Sequence, residues 1–396
     1  MEIIDHPEFL ILNSCEANSR GGEMGNMVGS GASLAGIMLV TNRMEKVPSG
    51  GRELLCKLNH DVLTEIYGNR LTVFELTKSP VRGFKSAANA FKGHIDGINA
   101  ETIGIVLHEI HEKNIEKIFV DGSNFGEITR AVKARFPKVQ IFTFFHNVEA
   151  RFFWGSFRQN KTVHSLAVAI ANYLAEKKSV KYSDKIICLS ERDSRLLYKF
   201  YGRPATHISP MALQDKLPPD ASQMANQPYQ KFALFVGGVF YANRAGITWF
   251  VKHVAPHINI KIYIVGRGFE DFRDELELDG KVEVVGAVES LSEWYLKSYF
   301  VIAPIFDGSG MKTKVAEALM FGKKVIGTPE AFSGYEDIAD RAGRVCASAD
   351  EFVAAIEAAD NFVQTPFDKE LRAIYEQKYS LSAARSRLAG ILGFIE

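Results

Sequence analysis

From Gly36 onward, short apolar runs alternate with longer amphipathic stretches. The apolar runs predict buried strands at Gly36–Thr41, Leu71–Leu76, Ile118–Asp121, Gln140–Phe145 and Lys185–Leu189. The stretches between them predict helices at Arg52–Tyr67, Glu101–Lys113 and Ile128–Phe136, and a long, mostly helical region over Phe152–Tyr182. Strands and helices that alternate in this way form a parallel sheet with helices on both faces.

The alternation breaks over Pro210–Gln230, where prolines stand among polar residues, and this segment is interpreted as an interdomain linker. It restarts with strands at Phe232–Gly237, Ile260–Val265, Val282–Val285, Phe300–Pro304 and Val325–Thr328, and helices at Arg244–His253 and Leu291–Ser298. We therefore predict an α/β protein of two doubly wound, Rossmann-like domains, residues 36–209 and 231–375, joined by the linker 210–230. The expected site is the cleft between them, at the carboxyl ends of the strands.

Residues 1–35 do not follow this pattern. A short apolar piece leads into a polar, glycine-rich stretch, Arg20–Ser33. These glycines do not join a clear strand to a clear helix, so an N-terminal extension or flexible arm is favoured over a phosphate-binding loop.

Composition excludes several classes of protein. The 396 residues carry 47 basic and 47 acidic side chains, and a net charge of zero argues against a nucleic-acid binder. The four cysteines are widely spaced, which argues against a disulfide framework or a zinc site and fits a reducing cytosol. We find neither an apolar run long enough for a membrane span nor the pattern of a signal peptide, and expect a cytoplasmic protein.

The most informative segment is Asp307–Thr328, DGSGMKTKVAEALMFGKKVIGT. Ser309 is a good N-cap, and Gly310 allows close approach of a ligand to the backbone. The start of the predicted helix, at Met311, offers unpaired N–H groups to a phosphate. Lys314 and Glu317 share one face of that helix, as a phosphate ligand and a ribose acceptor would. The alternative is a capped surface helix with an ordinary i,i+3 ion pair.

Several segments together carry a resemblance to a known family. In the C-terminal half they are Phe235–Gly238 with Asn243–Ile247, Val265–Gly268, Val285–Val288 and Gly308–Thr328, and in the N-terminal half Ser49-Gly50-Gly51 and His146-Asn147-Val148-Glu149. The chain resembles the retaining nucleotide-sugar glycosyltransferases of the GT-B fold, specifically the group 1 (GT4-type) family. The resemblance covers about residues 36–390 and implies that a last helix, within 376–396, crosses back to the N-terminal domain.

The resemblance implies catalytic roles for His146, which meets the donor sugar, and for Lys314 and Glu317. Its implied donor-binding residues are Gly50, Gly51, Gly237, Gly238, Asn243, Arg244, Gly266, Ser309, Gly310, Met311, Lys314 and Glu317. The chain departs from the family at Ser309, where many members have a glutamate. Gly238 and Ala245 stand where many members have an arginine and a lysine that grip the diphosphate.

The resemblance implies sugar transfer with retention, in which the leaving phosphate acts as the base. No metal or other cofactor is expected, because no Asp-x-Asp motif stands at a strand end, and a UDP-sugar is the expected donor. A nucleotide-sugar epimerase and a non-catalytic, nucleotide-sugar-binding scaffold remain alternatives.

The expected acceptor is a glycan or a lipid-linked glycan of a surface polysaccharide. The segment Arg151–Lys185 is basic and carries Phe152, Phe153, Trp154 and Phe157 at its front. It is interpreted either as a surface that lies on an anionic inner membrane face or as an ordinary helix that packs its aromatics inside the domain.

Overall fold

The computed structural model describes residues 36–44, 51–77, 84–219, 221, 231–308, 310–365 and 367–394. The predicted extension, residues 1–35, lies outside this part of the chain, as do Gly50, Ser309 and most of the second half of the predicted linker.

The N-terminal domain is built on a six-stranded parallel sheet of order β2-β1-β3-β4-β5-β6. Its strands are β1 Ile37–Asn42, β2 Leu71–Leu76, β3 Lys117–Asp121, β4 Gln140–Phe145, β5 Lys185–Cys188 and β6 His207–Ile208. Its helices are α1 Gly51–Tyr67, α2 Phe84–Lys92, α3 Ala100–Glu112, α4 Gly126–Arg135, α5 Glu149–Asn160, α6 Val163–Tyr182 and α7 Glu191–Tyr201.

The C-terminal domain repeats the plan with a second six-stranded parallel sheet, of order β12-β11-β10-β7-β8-β9. Its strands are β7 Phe232–Val236, β8 Lys261–Val265, β9 Val282–Gly286, β10 Phe300–Ala303, β11 Val325–Gly327 and β12 Gly343–Val345. Its helices are α8 Tyr241–His253, α9 Arg273–Leu276, α10 Leu291–Lys297, α11 Thr313–Met320, α12 Ala339–Ala342, α13 Ala349–Glu357, α14 Lys369–Ile374 and α15 Leu381–Ile391. The prediction of two doubly wound domains is thereby confirmed.

Both faces of the central strands are covered, and β7 and β10 are buried along their whole length, which explains their continuous apolar runs. The edge strands β2 and β9 are partly exposed and alternate more. In β1, Ile37 and Leu39 join the core cluster that contains α1, whereas Met38 and Val40 join the cluster on the opposite face. Each such fully buried aliphatic side chain contributes about 1.5–3 kcal/mol relative to an exposed one.

One predicted element divides in two. The long helical region predicted over 152–182 is interrupted after Asn160, because Lys161 is left-handed (φ 49°) and ends α5. Thr162 then starts α6 with a capping box, in which its side chain accepts from the Ser165 N–H and the Ser165 hydroxyl accepts from the Thr162 N–H. The spacing of Thr162 and Ser165, three residues apart, is typical of a helix start and could have predicted this division from the sequence.

The last helix, α15, packs against the N-terminal domain. Lys117 Nζ on β3 donates to the backbone carbonyl of Leu392, 2.5 Å away, and the rings of Tyr67 and Phe394 meet edge to face at 5.2 Å. The chain therefore passes between the domains a second time, near Ser380, where it forms a parallel bridge to Leu213 of the first passage.

Candidate functional site

A cavity of about 260 Å³ opens where the carboxyl ends of the two sheets meet. The N-terminal domain lines it with residues that follow β4 and β5, and the C-terminal domain with residues that follow β7 and β10. The lining includes Gly51, Arg52, His146, Asn147, Phe152, Leu189, Tyr241, Asn243, Asp307, Gly310, Met311, Lys312 and Thr313. This is the position in which parallel α/β sheets bind their ligands.

Lys314 is the buried cation of the C-terminal wall. Its side chain is 8% exposed; Nζ donates to Asn243 Oδ1 at 2.9 Å and lies 5.3 Å from the centre of the Phe235 ring. Burial lowers the pKa of Lys314 to about 8, although the charge of Glu317 opposes this shift. These contacts only partly replace the hydration that the charged amine loses on burial, and an incoming anion would stabilise its charged form.

Glu317 lies one turn further along α11. Its Oε2 accepts a hydrogen bond from the hydroxyl of Tyr295 at 3.0 Å. The Tyr295 ring stacks on Phe321 at 4.8 Å between centres and is itself buried, so the carboxylate is held from behind. One oxygen of Glu317 is thereby fixed, and the other is the one suited to a ligand hydroxyl.

The helix that carries these residues begins later than the sequence predicted. We expected it to start at Met311, but α11 starts at Thr313 with Lys312 as N-cap. Gly310 is left-handed (φ 68°), and the hydroxyl of Tyr335 donates to the Lys312 carbonyl at 2.8 Å, which holds the segment out of the helix. The predicted helix start at Met311 is therefore wrong, because Gly310 and Met311 both precede the helix. They still line the cavity.

Two glycines allow the turns after β7 and β8 to pack closely around Lys314. A Cβ at Gly237 would lie 2.6 Å from Lys314 Nζ and 2.8 Å from Asn243 Nδ2, and Gly237 has φ of 154°. A Cβ at Gly266 would overlap the Gly237 carbonyl. Any side chain at either position would therefore push the turn away from Lys314.

The remaining predicted donor residues are placed differently. An added Cβ at Gly238 would lie 3.8 Å from the Arg267 carbonyl oxygen, and the Gly238 carbonyl accepts a hydrogen bond from Asn243 Nδ2 at 2.9 Å. Gly51 begins α1 and lines the cavity. Arg244 is not among the residues that line the cavity. Its guanidinium pairs with Glu275 at 2.8 Å and lies 3.8 Å from the centre of the Phe272 ring.

The N-terminal wall is a buried polar network centred on Asp121, at the end of β3. Asp121 Oδ1 lies 2.6 Å from His146 Nε2 and accepts from Asn59 Nδ2 at 2.8 Å, while Oδ2 accepts from the Thr41 hydroxyl at 3.1 Å. Burial alone would raise the pKa of Asp121, but His146 and these hydrogen bonds lower it below its usual range. The carboxylate therefore stays charged and fixes the imidazole.

The second ring nitrogen of His146, Nδ1, has no hydrogen bond to any described residue. It is buried, and His146 itself lines the cavity. Buried polar atoms normally have partners. This nitrogen is thus the polar atom on the N-terminal wall that a ligand would satisfy.

Cys56 completes a compact cluster with this pair. Its sulfur, a carboxylate oxygen of Asp121 and an imidazole nitrogen of His146 lie within 4.8 Å of one another. Burial raises the pKa of the Cys56 thiol well above its usual range. The hydrogen bond between Asp121 and His146 accounts for the closeness of these two side chains.

A second buried network fixes the segment after His146. Glu176, on α6, accepts from the backbone N–H groups of Glu149 and Ala150, at 2.9 and 3.1 Å, and from the Tyr201 hydroxyl at 2.6 Å. It therefore caps the start of α5. Burial raises the pKa of the neighbouring Glu149 to about 7, with Arg52 opposing the shift.

Glu330 joins the two walls. It pairs with Lys312 of its own domain at 3.0 Å and with Arg192, at the start of α7 in the N-terminal domain, at 3.2 Å. All three side chains are less than one-fifth exposed, with values of 13% for Lys312 and 18% for the other two. A carboxylate shared in this way holds the two domains together beside the cavity.

The structure therefore brings His146, Lys312, Asn243, Gly310 and Met311 to one cavity, with Lys314 and Glu317 directly behind its C-terminal wall. The sequence did not predict a role in the site for four residues: Asp121, Asn59, Thr41 and Arg52. Asp121 did carry a signal, because a charged residue that ends an apolar strand of a parallel sheet lies at the ligand-binding edge.

No helix in the described part of the chain combines the length and the apolar character that crossing a membrane requires. The three cysteines described, Cys56, Cys188 and Cys346, are free thiols and buried.

Comparison with known proteins gives one family match and many structural ones. Residues 230–359 match the model of the family described as glycosyl transferases group 1. None of the curated proteins matches the sequence.

Among solved structures, sucrose-phosphate synthase from Thermosynechococcus elongatus is similar with a TM-score of 0.66 and 16% identity, over 90% of this chain and 98% of that one. Anabaena HepE, in complex with UDP-glucose, has a TM-score of 0.61 and 14% identity, over 90% and 100%. WaaG, a glycosyltransferase involved in lipopolysaccharide biosynthesis, has a TM-score of 0.58 and 14% identity, over 90% and 100%. These likenesses confirm the predicted GT-B fold.

Proposed function

The C-terminal domain of this chain belongs to the group 1 glycosyltransferases on a GT-B fold, and on that premise we propose that the protein is a retaining glycosyltransferase. It transfers a sugar from a nucleoside-diphosphate sugar to a glycan or lipid-linked acceptor, in the assembly of a surface polysaccharide or glycoconjugate. The expected donor is a UDP-sugar, which is consistent with the UDP-glucose in the Anabaena structure.

The observation that carries this proposal is the pair of facing walls. On one side a buried amine, Lys314, lies close to the Gly237 turn, and its hydrogen-bond partner among the described residues is a neutral amide, Asn243. On the other, the imidazole of His146 is fixed by Asp121, and its buried Nδ1 has no partner in the part of the chain that the structure describes. The first suits a diphosphate and the second a sugar hydroxyl.

In the proposed reaction, the bond between the anomeric carbon and the diphosphate oxygen breaks as a bond to the acceptor oxygen forms on the same face. The proton of the acceptor hydroxyl passes to the leaving phosphate. Lys314, with Lys312 near it, stabilises the negative charge that develops on the diphosphate, which is the usual large contribution to catalysis. Glu317 holds the ribose, and transfer needs no metal. A product with inverted anomeric configuration, seen by NMR, would overturn the proposed retention.

The membrane part of the proposal is supported by a cavity of about 580 Å³ beside the candidate site, here called the mouth of the cleft. Its lining includes Arg151, Phe152, Trp154, Arg158 and Lys199. Phe152 and Trp154 are each 40% exposed, so the front of the basic segment is only partly packed inside the domain. We propose that this mouth lies against an anionic membrane at its cytoplasmic face. Failure to float with anionic liposomes would remove the membrane claim.

A thermal-shift panel of nucleotide sugars tests the donor site. A bound ligand stabilises the folded protein by an amount set by its concentration relative to its dissociation constant. The right donor should raise Tm in the wild type and in the control Glu293→Gln, an exposed glutamate on α10. The shift should be lost or strongly reduced in Glu317→Gln. An equal shift in all three proteins would contradict the site.

Donor hydrolysis separates an enzyme from a non-catalytic scaffold. A transferase releases some free sugar from its donor when water replaces the acceptor, whereas a scaffold binds the nucleotide sugar without turnover. Binding without any release, under conditions in which acceptors from a cell extract are also not modified, would favour the scaffold.

A further inference from the structure

A second cavity, of about 400 Å³, lies in the N-terminal domain next to the candidate donor site. The two cavities share Arg52, which lines both. The second cavity is walled by the end of α2, the loop 93–99, and residues of α5 and α6. A group bound there would therefore lie next to the candidate donor site, on the side of Arg52.

The lining is unusually rich in side-chain amides. Asn89, Asn99, Asn124 and Asn172 all contribute, together with His94, Asp96 and the ring of Phe153. An amide offers both a donor and an acceptor, which matches the hydroxyl groups of a sugar. Asn99 Oδ1 already accepts from the Thr102 N–H and Asn172 Nδ2 already donates to the Val168 carbonyl, so the other end of each amide is the one suited to a ligand. Buried polar groups that are arranged for hydroxyls discriminate strongly against ligands that lack them.

Asp96 is held through one of its two carboxylate oxygens. Arg52 donates to its Oδ2 from both guanidinium nitrogens at 3.3 Å, and Asn124 Nδ2 also bonds Oδ2. Among the described residues, no hydrogen bond of the Asp96 side chain ends on Oδ1. The residue is left-handed (φ 50°) between Gly93 and Gly97, which are also left-handed, so the backbone is committed to this placement.

The charges around this cavity balance. Arg52 is the cation of the lining and is paired with Asp96. The mouth of the cleft described above is different, because Arg151, Arg158 and Lys199 give it a positive excess. An anionic ligand is thus favoured at the mouth, and an uncharged one in the second cavity.

We propose that this cavity binds an uncharged sugar residue of the acceptor, with Asp96 and the surrounding amides as its hydroxyl ligands. The inference rests on the proposed function and names the part of the acceptor that enters the N-terminal domain. It assigns acceptor specificity to residues that the group 1 family match, at residues 230–359, does not cover.

Saturation-transfer NMR tests the proposal, with maltose, cellobiose and lactose as neutral probes and glucose 1-phosphate as the charged one. The protein is saturated with UDP throughout. The variants are Asp96→Asn, which keeps the left-handed backbone accessible, and Asn89→Leu, which narrows the cavity from α2. Asp61→Asn is the matched control, because Asp61 lies on α1 and does not line this cavity.

We expect at least one neutral disaccharide to bind the wild type and the control, and to bind Asp96→Asn about tenfold more weakly, as expected for a lost hydrogen bond to a charged group. The UDP-induced rise in Tm should be the same in all four proteins. Binding of glucose 1-phosphate alone, binding unchanged in both cavity variants, or no sugar binding at all would overturn the proposal. Loss of the UDP shift in the wild type would instead overturn the proposed function.

Discussion

The two walls of the cleft meet the same cavity but are built in different ways. On the C-terminal side, Lys314 and Glu317 lie on one short helix, and the glycine turns after β7 and β8 close around them. On the N-terminal side, Thr41, Asn59, Asp121 and His146 come from four separate elements and form one hydrogen-bonded network. The first wall presents a buried charge with one neutral partner among the described residues, and the second presents an imidazole ring fixed by Asp121.

This difference supports the division of tasks in the proposed reaction. A buried amine whose pKa is lowered by burial gains most when an anion arrives, so the C-terminal wall is suited to the donor diphosphate. The Asp121 carboxylate already has its hydrogen-bond partners, so a new charge nearby would add little stabilisation. The network instead fixes the orientation of the His146 ring. The N-terminal wall is therefore suited to positioning the sugar.

The largest effect is expected at Lys314. The substitution Lys314→Met keeps the side-chain volume but removes the charge, and it should raise the barrier to donor cleavage by about 2–4 kcal/mol, as for a lost oxyanion donor. Steady-state donor hydrolysis measures this loss. Lys297→Met, on the exposed side of α10, is the matched control and should retain wild-type activity. Equal activity in the two variants would contradict the assignment of the diphosphate to this wall.

The N-terminal network should show strong coupling between Asp121 and His146. The substitution Asp121→Asn leaves buried donors mismatched and should lower the free energy of unfolding by about 1–3 kcal/mol. Urea unfolding of Asp121→Asn, His146→Gln and the double variant gives the coupling energy directly. We expect the double variant to lose less free energy of unfolding than the sum of the losses in the two single variants. Additive effects would mean that the contact contributes no coupling.

Donor affinity should depend on pH through Lys314. The diphosphate of a nucleotide sugar binds the protonated amine, and the pKa of that amine in the free protein is about 8. Affinity should therefore be constant below pH 8 and fall by up to about tenfold per pH unit above it, since one proton is taken up on binding. Calorimetry with UDP-glucose in buffers of different ionisation enthalpy measures this proton. The dependence should disappear in Lys314→Met.

The lowered pKa of Lys314 has the opposite effect on the stability of the free protein, which should rise with pH where donor affinity falls. Because the folded pKa of Lys314 is lower than the ordinary value, the unfolded chain binds the proton more tightly. The contribution of Lys314 to stability should therefore increase as pH rises from about 8 towards the ordinary lysine value. Thermal unfolding of the wild type against Lys314→Met over that range checks the sign.

The smallest effect is expected where the two walls are joined. The Arg192–Glu330 ion pair is partly buried and crosses the domains, and breaking it with Arg192→Gln should cost about 0.5–1 kcal/mol. We expect a few-fold rise in KM for the donor with little change in kcat. Lys231→Gln, which breaks an exposed pair with Asp360, is the control. A large fall in kcat with unchanged KM would indicate a catalytic rather than a positioning role for Arg192.

The contrast between the walls also explains what the sequence could and could not predict. The C-terminal wall was found because Lys314 and Glu317 stand within one contiguous motif, although the left-handed Gly310 and the Tyr335 contact moved the helix start to Thr313. The N-terminal network joins residues as much as 105 positions apart, from Thr41 to His146, and only the sheet order β1-β3-β4 brings them together. Periodicity identifies those strands but does not give their lateral order.

A crystal structure of the protein with an intact UDP-sugar tests the proposed donor site most directly. We expect the diphosphate beside the Gly237 turn within hydrogen-bond distance of Lys314 Nζ, the ribose on Glu317, and the sugar against His146 Nδ1. A nucleotide bound elsewhere, or bound in the cleft with its phosphates turned towards solvent and away from Lys314, would contradict it.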